Sequence, residues 1–146
     1  MSYSKILIHA VFTTKNRENT LSENRREDLY RFIWKQLQSQ NCTLLRIGGI
    51  ENHIHILFAL PLDKPISIVM RDIKRLSSTW IKENNVFPHF ISWAEGYCAI
   101  SCSHSDANRV IDYIKNQKSH HQNTDSKQEL ISLLDEYGIS YKEEYV

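Results

Sequence analysis

The sequence predicts an α+β domain of ferredoxin-like plan: a βαββαβ antiparallel sheet, two helices packed on one of its faces, and additional C-terminal helices. Three observations carry this. Apolar residues recur every second position in some segments and every three to four in others. The two kinds of segment alternate as strand, helix, strand, strand, helix, strand, followed by two helices. The breaks between them fall at Pro, Gly and capping residues. That order is the split βαβ arrangement.

Taken in turn, Ile6-Leu-Ile-His-Ala-Val-Phe12 reads as the first strand. Thr20-Leu-Ser-Glu23 fits a capping box, and Leu29, Ile33 and Leu37, with Phe32 beside them, form the inward face of a first helix. Thr43 to Ile50 reads as the second strand, with Gly48-Gly49 marking a bulge or bend near its end. His53 to Leu60 is the third, ended by Pro61. Pro65 suits the first turn of a second helix, whose apolar positions Ile66, Val69, Met70, Ile73, Leu76, Trp80 and Ile81 follow the 3.6 period. Pro88 breaks the chain after it, and Trp93 to Ser101 reads as the fourth strand. Ser105 or Asp106 caps a third long helix running to about His121, and a last helix, Lys127 to Tyr137, ends at Gly138. No repeat, low-complexity tract or linker interrupts the order, so residues 1–146 read as one domain.

Hydrophobic content of 41% and charged content of 24% are ordinary for a globular chain and argue against extensive disorder. No apolar run approaches the roughly 18 residues of a membrane span, and the first apolar stretch lacks a cleavage site, so no membrane role is expected. Three cysteines, an odd number with no export signal, suggest free thiols in a reducing, cytoplasmic setting. Net charge is +1, but residues 124–146 hold six acidic and two basic side chains, net −4, which leaves +5 on the 123 residues before them. That field favours a polyanion without identifying one.

On the third strand, side chains alternate between faces. Ile54, Ile56, Phe58 and Leu60 make one apolar face for the helices, and His53 and His55 share the other. Two imidazoles two residues apart can point at one ion; they can equally be a polar pair on a solvated sheet face. On the third helix, Tyr113, Gln117 and His120 fall within an arc of about 60°, bordered by Val110, Ile111 and Ile114. Laid across the open sheet face, such a helix brings Tyr113 to the histidines. Alternatively, Tyr113 is half-buried beside a solvated amide. On the second helix, Arg71, Lys74, Arg75, Ser78 and Lys82 form a basic stripe opposite the apolar one, which is either a DNA face or simply a solvated one. His9 shares a face with Leu7 and Val11 and reads as structural.

Several segments, in order, resemble the single-tyrosine transposases of the HUH superfamily, which include insertion-sequence transposases and their repeat-associated relatives. They are Thr14-Lys15-Asn16-Arg17, Glu51-Asn-His-Ile-His-Ile56, Trp93-Ala-Glu-Gly-Tyr97, Tyr113-Ile-Lys-Asn-Gln117 with His120-His121, and Leu134 to Tyr141. The resemblance implies Tyr113 as the catalytic nucleophile, forming a 5′-phosphotyrosine, and His53, His55 and Gln117 as ligands of Mg²⁺ or Mn²⁺. It implies Lys15 and Arg17 as contacts to a DNA hairpin; Arg71, Lys74, Arg75 and Lys82, read from their spacing alone, would join them if the basic stripe holds DNA. His120 and His121 are further candidates, able to replace Gln117 or touch DNA. The implied activity is cleavage and rejoining of single-stranded DNA at hairpin-bearing ends. The implied assembly is a homodimer joined at its sheet edges, nucleoid-associated when bound to DNA.

Two other readings compete. A non-catalytic ferredoxin-like nucleic-acid-binding module has no need of Tyr113 or the two histidines. A two-histidine phosphoesterase requires a second His-x-Thr/Ser motif on a strand, and neither His9-Ala-Val nor His104-Ser-Asp supplies one.

Overall fold

The computed structural model describes residues 1–121, 125–143 and 146. Four strands, β1 (Leu7–Thr13), β2 (Thr43–Ile50), β3 (His53–Ala59) and β4 (Cys98–Cys102), form one sheet. Its order is β2-β3-β1-β4, with every neighbouring pair antiparallel. The helices are α1 (Glu23–Ser39), α2 (Ile66–Glu83), α3 (Ala107–Lys115), α4 (Gln117–His120) and α5 (Ser126–Glu136). The predicted βαββαβ plan with C-terminal helices is the observed one. No helix among the described residues is long and apolar enough to cross a membrane.

The alternation along β3 divides the molecule. Ile54, Ile56 and Phe58 pack with Leu29, Ile33 and Leu37 of α1 and Val69, Met70 and Ile73 of α2 in the main core. On the other face, Leu57 of β3 and Leu7 of β1 meet Ala107, Val110 and Ile114 of α3 in a smaller apolar cluster. The register sets Val11 opposite His55 and Thr13 opposite His53, so His9, Val11 and Thr13 share this second face with the histidine pair. Gly48 lies opposite His55 on β2. A Cβ built on it would come within 2.8 Å of the Ile114 carbonyl oxygen. The missing side chain therefore lets the α3 backbone lie directly on the sheet, and that close approach carries Tyr113 to the histidines.

Four local expectations differ from the structure. The capping box does not form: α1 starts at Glu23 with Ser22 as its N-cap, because the Thr20 and Leu21 N–H groups both donate to the Glu51 carbonyl and tie this segment to the β2–β3 turn. The register shift in β2 falls between Leu44 and Arg46, while Gly48 and Gly49 pair regularly with His55 and Ile54. The fourth strand begins at Cys98 rather than Trp93. Trp93 keeps a single bridge to Thr14, and the Lys74 ammonium donates to the carbonyls of Ala94 and Gly96, at 2.8 Å each, in place of a neighbouring strand. The third helix is interrupted at Asn116, and the Gln117 side-chain amide donates to the Tyr113 carbonyl, the acceptor that a continuous helix would give to the Gln117 backbone N–H.

Candidate active site

The second sheet face is where the polar residues gather. His53 and His55 are 2% and 1% exposed, and Gln117, at the start of α4, is 1% exposed. His53 Nδ1 lies 2.8 Å from Asn52 Oδ1, and the Asn52 amide nitrogen is turned the other way, toward Ser126 Oγ and the Arg17 carbonyl. The proton of a neutral His53 therefore sits on Nδ1, and its Nε2 lone pair faces inward. What it faces is Gln117 Oε1, at 3.1 Å. The Gln117 amide nitrogen is committed to the Tyr113 carbonyl, so the oxygen must point in. Two acceptors turned toward each other repel unless a positive charge lies between them, either a proton or a metal ion.

His55 is held in the same manner. Its Nδ1 lies 2.9 Å from His9 Nε2, and its Nε2 lies 2.6 Å from a carboxylate oxygen of Glu129. Glu129 belongs to α5, is 5% exposed, and also approaches His53 Nε2 at 3.7 Å. His121 Nε2 contacts its other oxygen. The Tyr113 hydroxyl donates to Glu129, and its ring stands edge-on to His55 with centroids 5.5 Å apart. Ligand atoms of His53, His55 and Glu129 all lie within 4.8 Å of one another. Beside them is a void of about 10 Å³, also bordered by Arg17 and Ser126, which is the size of one water molecule or ion.

Charge in this cluster follows from burial and contact. Burial presses His9 down to about 3, His55 adds to the fall, and Glu129 opposes it. Burial also lowers His55, against the pull of Glu129. For Glu129 burial acts upward, but the contacts of His53, His55 and Tyr113 outweigh it and hold the carboxyl well below its usual range. Burial, together with the bond to Glu129, raises the Tyr113 phenol. At neutral pH His9 and His55 are thus uncharged, the Tyr113 phenol is protonated and Glu129 is a carboxylate. The donor set of imidazoles, amide oxygen and carboxylate suits Mn²⁺ or Mg²⁺. The 3.1 Å edge between His53 and Gln117 is also about the ligand spacing of an octahedral ion with bonds near 2.1 Å.

Of the residues singled out by sequence, Tyr113, His53, His55, Gln117 and His121 come together here. Arg17 stands at the rim, donating to Ser126 Oγ at 3.0 Å, and burial eases its pKa downward. Lys15, two residues before it, is exposed. The His120 side chain lies outside the described part of the structure. Arg71, Lys74, Arg75 and Lys82 are elsewhere, on the helix that covers the opposite sheet face. Arg71 and Arg75 both reach Asp72, and Lys74 is occupied by the two carbonyls already described. Sequence reasoning missed Glu129, Asn52 and the role of His9. Ser126 and Glu129 are three apart and so share a helix face, which was the signal available in the sequence; the structure buries both. Between α3 and α5 a cleft of about 220 Å³, lined by Arg109, Tyr113, Glu129 and Tyr137 among others, opens beside the phenol.

The family model for IS200-like transposases matches residues 2–117. Among solved structures, a candidate transposase from Deinococcus radiodurans R1 superposes with a TM-score of 0.64 at 19% identity, over 80% of this chain and 93% of that one. A REP-associated tyrosine transposase bound to a REP hairpin gives the same TM-score and identity over 83% of this chain and 72% of that one. At such identity the likeness speaks for the fold. No curated protein matches the sequence. The segment carrying α5 lies beyond the span matched by the family model.

Proposed function

The chain belongs to the IS200-like transposase family, and from that premise we propose that it cleaves and rejoins single-stranded DNA at hairpin-bearing ends, using Tyr113 as a covalent nucleophile. In this reading residues 1–146 work as one domain. The observation that carries the proposal is the meeting of the Tyr113 hydroxyl with His53, His55, Gln117 and Glu129 in one buried cluster. A nucleic-acid-binding module gains nothing from burying such a cluster, which costs desolvation of every member.

The reaction is a transesterification. The Tyr113 oxygen attacks the scissile phosphorus and releases its proton to water, the bond from phosphorus to the 3′ oxygen breaks, and that oxygen takes up a proton from water and departs as a 3′-hydroxyl. The 5′-phosphate remains on Tyr113, so the phosphoester bond is kept and a second 3′-hydroxyl can reverse the step without ATP. His53, His55 and Gln117 would hold the divalent ion, oriented by Asn52 and His9 from behind. Once bound, Mg²⁺ or Mn²⁺ draws charge from a non-bridging phosphate oxygen and fixes its position. The cleft beside Tyr113, with Arg109 on its wall, is the path by which a phosphodiester reaches the phenol. A denaturing gel of protein, single-stranded element ends and Mn²⁺ tests this: a covalent protein–DNA band is expected, and its absence removes the assignment.

One structural neighbour is bound to a hairpin, and we carry that substrate form to this chain. Arg17 borders the candidate site and Lys15 is exposed two residues before it, while Arg71, Arg75 and Lys82 lie on α2 across the sheet and would hold a separate stretch of the DNA. Arg71 and Arg75 are each 63% exposed and paired only at the surface, so phosphates can displace Asp72 at little cost. Replacing both with Ala should lower the slope of log affinity against log salt by about 2 for a duplex stem. An unchanged slope takes the stripe out of the DNA interface.

Dimerisation belongs to the same proposal. The sheet ends in β2 and β4, and β4 is short and offers its outer edge for pairing with a second copy. Sedimentation at micromolar concentration is expected to give twice the monomer mass; a strict monomer counts against edge pairing.

A further inference from the structure

We propose that Glu129 is itself a ligand of the divalent ion, so that α5 completes the active site of its own chain. This rests on the reading of His53 and His55 as metal ligands. It adds a carboxylate from a segment that lies outside the matched family span.

The argument begins with chemistry. Two imidazoles and an amide oxygen carry no charge, and oxygen anions are the preferred partners of Mg²⁺ and Mn²⁺. Glu129 supplies the negative charge at the right place. Its oxygens reach both histidines, at 2.6 Å and 3.7 Å, and line the ion-sized void with them. Its placement is also built rather than incidental. One turn earlier on α5, Ser126 Oγ accepts from Arg17 Nη1 at 3.0 Å and from the Asn52 amide at 3.2 Å. Asn52 is the residue that orients His53. The hydrogen bonds that aim the first histidine thus also anchor the helix that delivers the carboxylate, as outer-shell partners of metal sites do. Because the Tyr113 hydroxyl donates to the same carboxylate, Glu129 is also a positioning residue for the nucleophile.

The test is Mn²⁺ binding by the full chain without DNA, followed by electron paramagnetic resonance and by metal-dependent thermal shift. Glu129→Gln keeps the shape and removes the charge. Its Mn²⁺ affinity should fall roughly 100-fold, the upper end of what loss of an outer-shell partner costs, while its metal-free melting stays close to that of the wild type. Anomalous scattering from a Mn²⁺-soaked crystal of the wild-type chain gives the same answer without a mutation. The ion is expected about 2.2 Å from a Glu129 oxygen. An ion bonded to His53 and His55 with the Glu129 carboxylate turned away overturns the proposal. So does Glu129→Gln binding Mn²⁺ as tightly as the wild type; a rise in covalent adduct with that variant would identify Glu129 as a plug that DNA must displace. A wild-type chain that binds no Mn²⁺ at all removes the metal reading of the histidines as well, which separates the two failures.

Discussion

Tyr113→Phe is expected to abolish the covalent protein–DNA adduct completely, and strand joining with it. The substitution removes one oxygen. The ring that stands edge-on to His55 and, with centroids 6.3 Å apart, to His9 keeps its place, and α3 keeps its packing through Val110 and Ile114. What folding loses is one donor to Glu129, a cost of about 1–3 kcal/mol, softened because His55 and His121 still reach that carboxylate. Metal and DNA binding should therefore survive. Only the nucleophile is gone, and Tyr97, edge-on to Phe12 on the far side of the sheet, does not take its role. Tyr137 lines the cleft that reaches Tyr113, which makes Tyr137→Phe the demanding control. That variant, with Tyr97→Phe and Tyr141→Phe, should still form the adduct. A band of undiminished intensity from Tyr113→Phe, mapped to another residue, would show that the wrong oxygen has been chosen.

The fold was legible because its signals are local and periodic. Ile54, Ile56 and Phe58 alternate with His53 and His55, and that alternation alone assigns the two sheet faces. The helical stripe of α2 is equally direct. The local errors arose where a tertiary contact outweighed a local preference. Thr20 is tied to Glu51 and so does not cap α1; Lys74 satisfies the carbonyls of Ala94 and Gly96, so the segment before Cys98 needs no strand partner.

The site was half legible for the same reason. His53 and His55 sit on one element, and Tyr113 and Gln117 are four residues apart, so spacing and resemblance found them. Glu129 is separated from His55 by 74 positions and joined to it only by the fold. In the sequence it is one acidic residue among six in a net-negative tail, and counting charge does not single it out. Asn52 and His9 act through ring nitrogens of their neighbours, at 2.8 Å and 2.9 Å. Nothing in residue type distinguishes such orienting partners from an ordinary turn asparagine or core histidine. The basic stripe of α2 was read correctly as a stripe, but helical geometry gives no information about which side of the sheet it serves.

His53→Ala and His55→Ala carry the other large effect. Each removes an imidazole from a site where the remaining donors were arranged around it. Without His53, Asn52 Oδ1 loses its donor and Gln117 Oε1 its facing nitrogen; without His55, His9 Nε2 loses its partner and Glu129 one of its imidazoles. Leaving such buried groups unmatched costs about 1–3 kcal/mol each, which a core resting on α1 and α2 across the other face should withstand. Mn²⁺ affinity is expected to collapse in either variant. Cleavage should fall by roughly 10³-fold or more, since charge withdrawal from the phosphate contributes several kcal/mol to the barrier. A chelator added to the wild type should have the same effect, reversed by excess Mn²⁺. Binding to a hairpin should persist with its salt dependence unchanged, because Lys15 and Arg17 are untouched and affinity for phosphates comes from such cations. That combination, cleavage lost and binding kept, distinguishes a catalytic metal from a structural one. Undiminished metal-dependent cleavage by the double variant His53→Ala, His55→Ala would detach the metal from this sheet face.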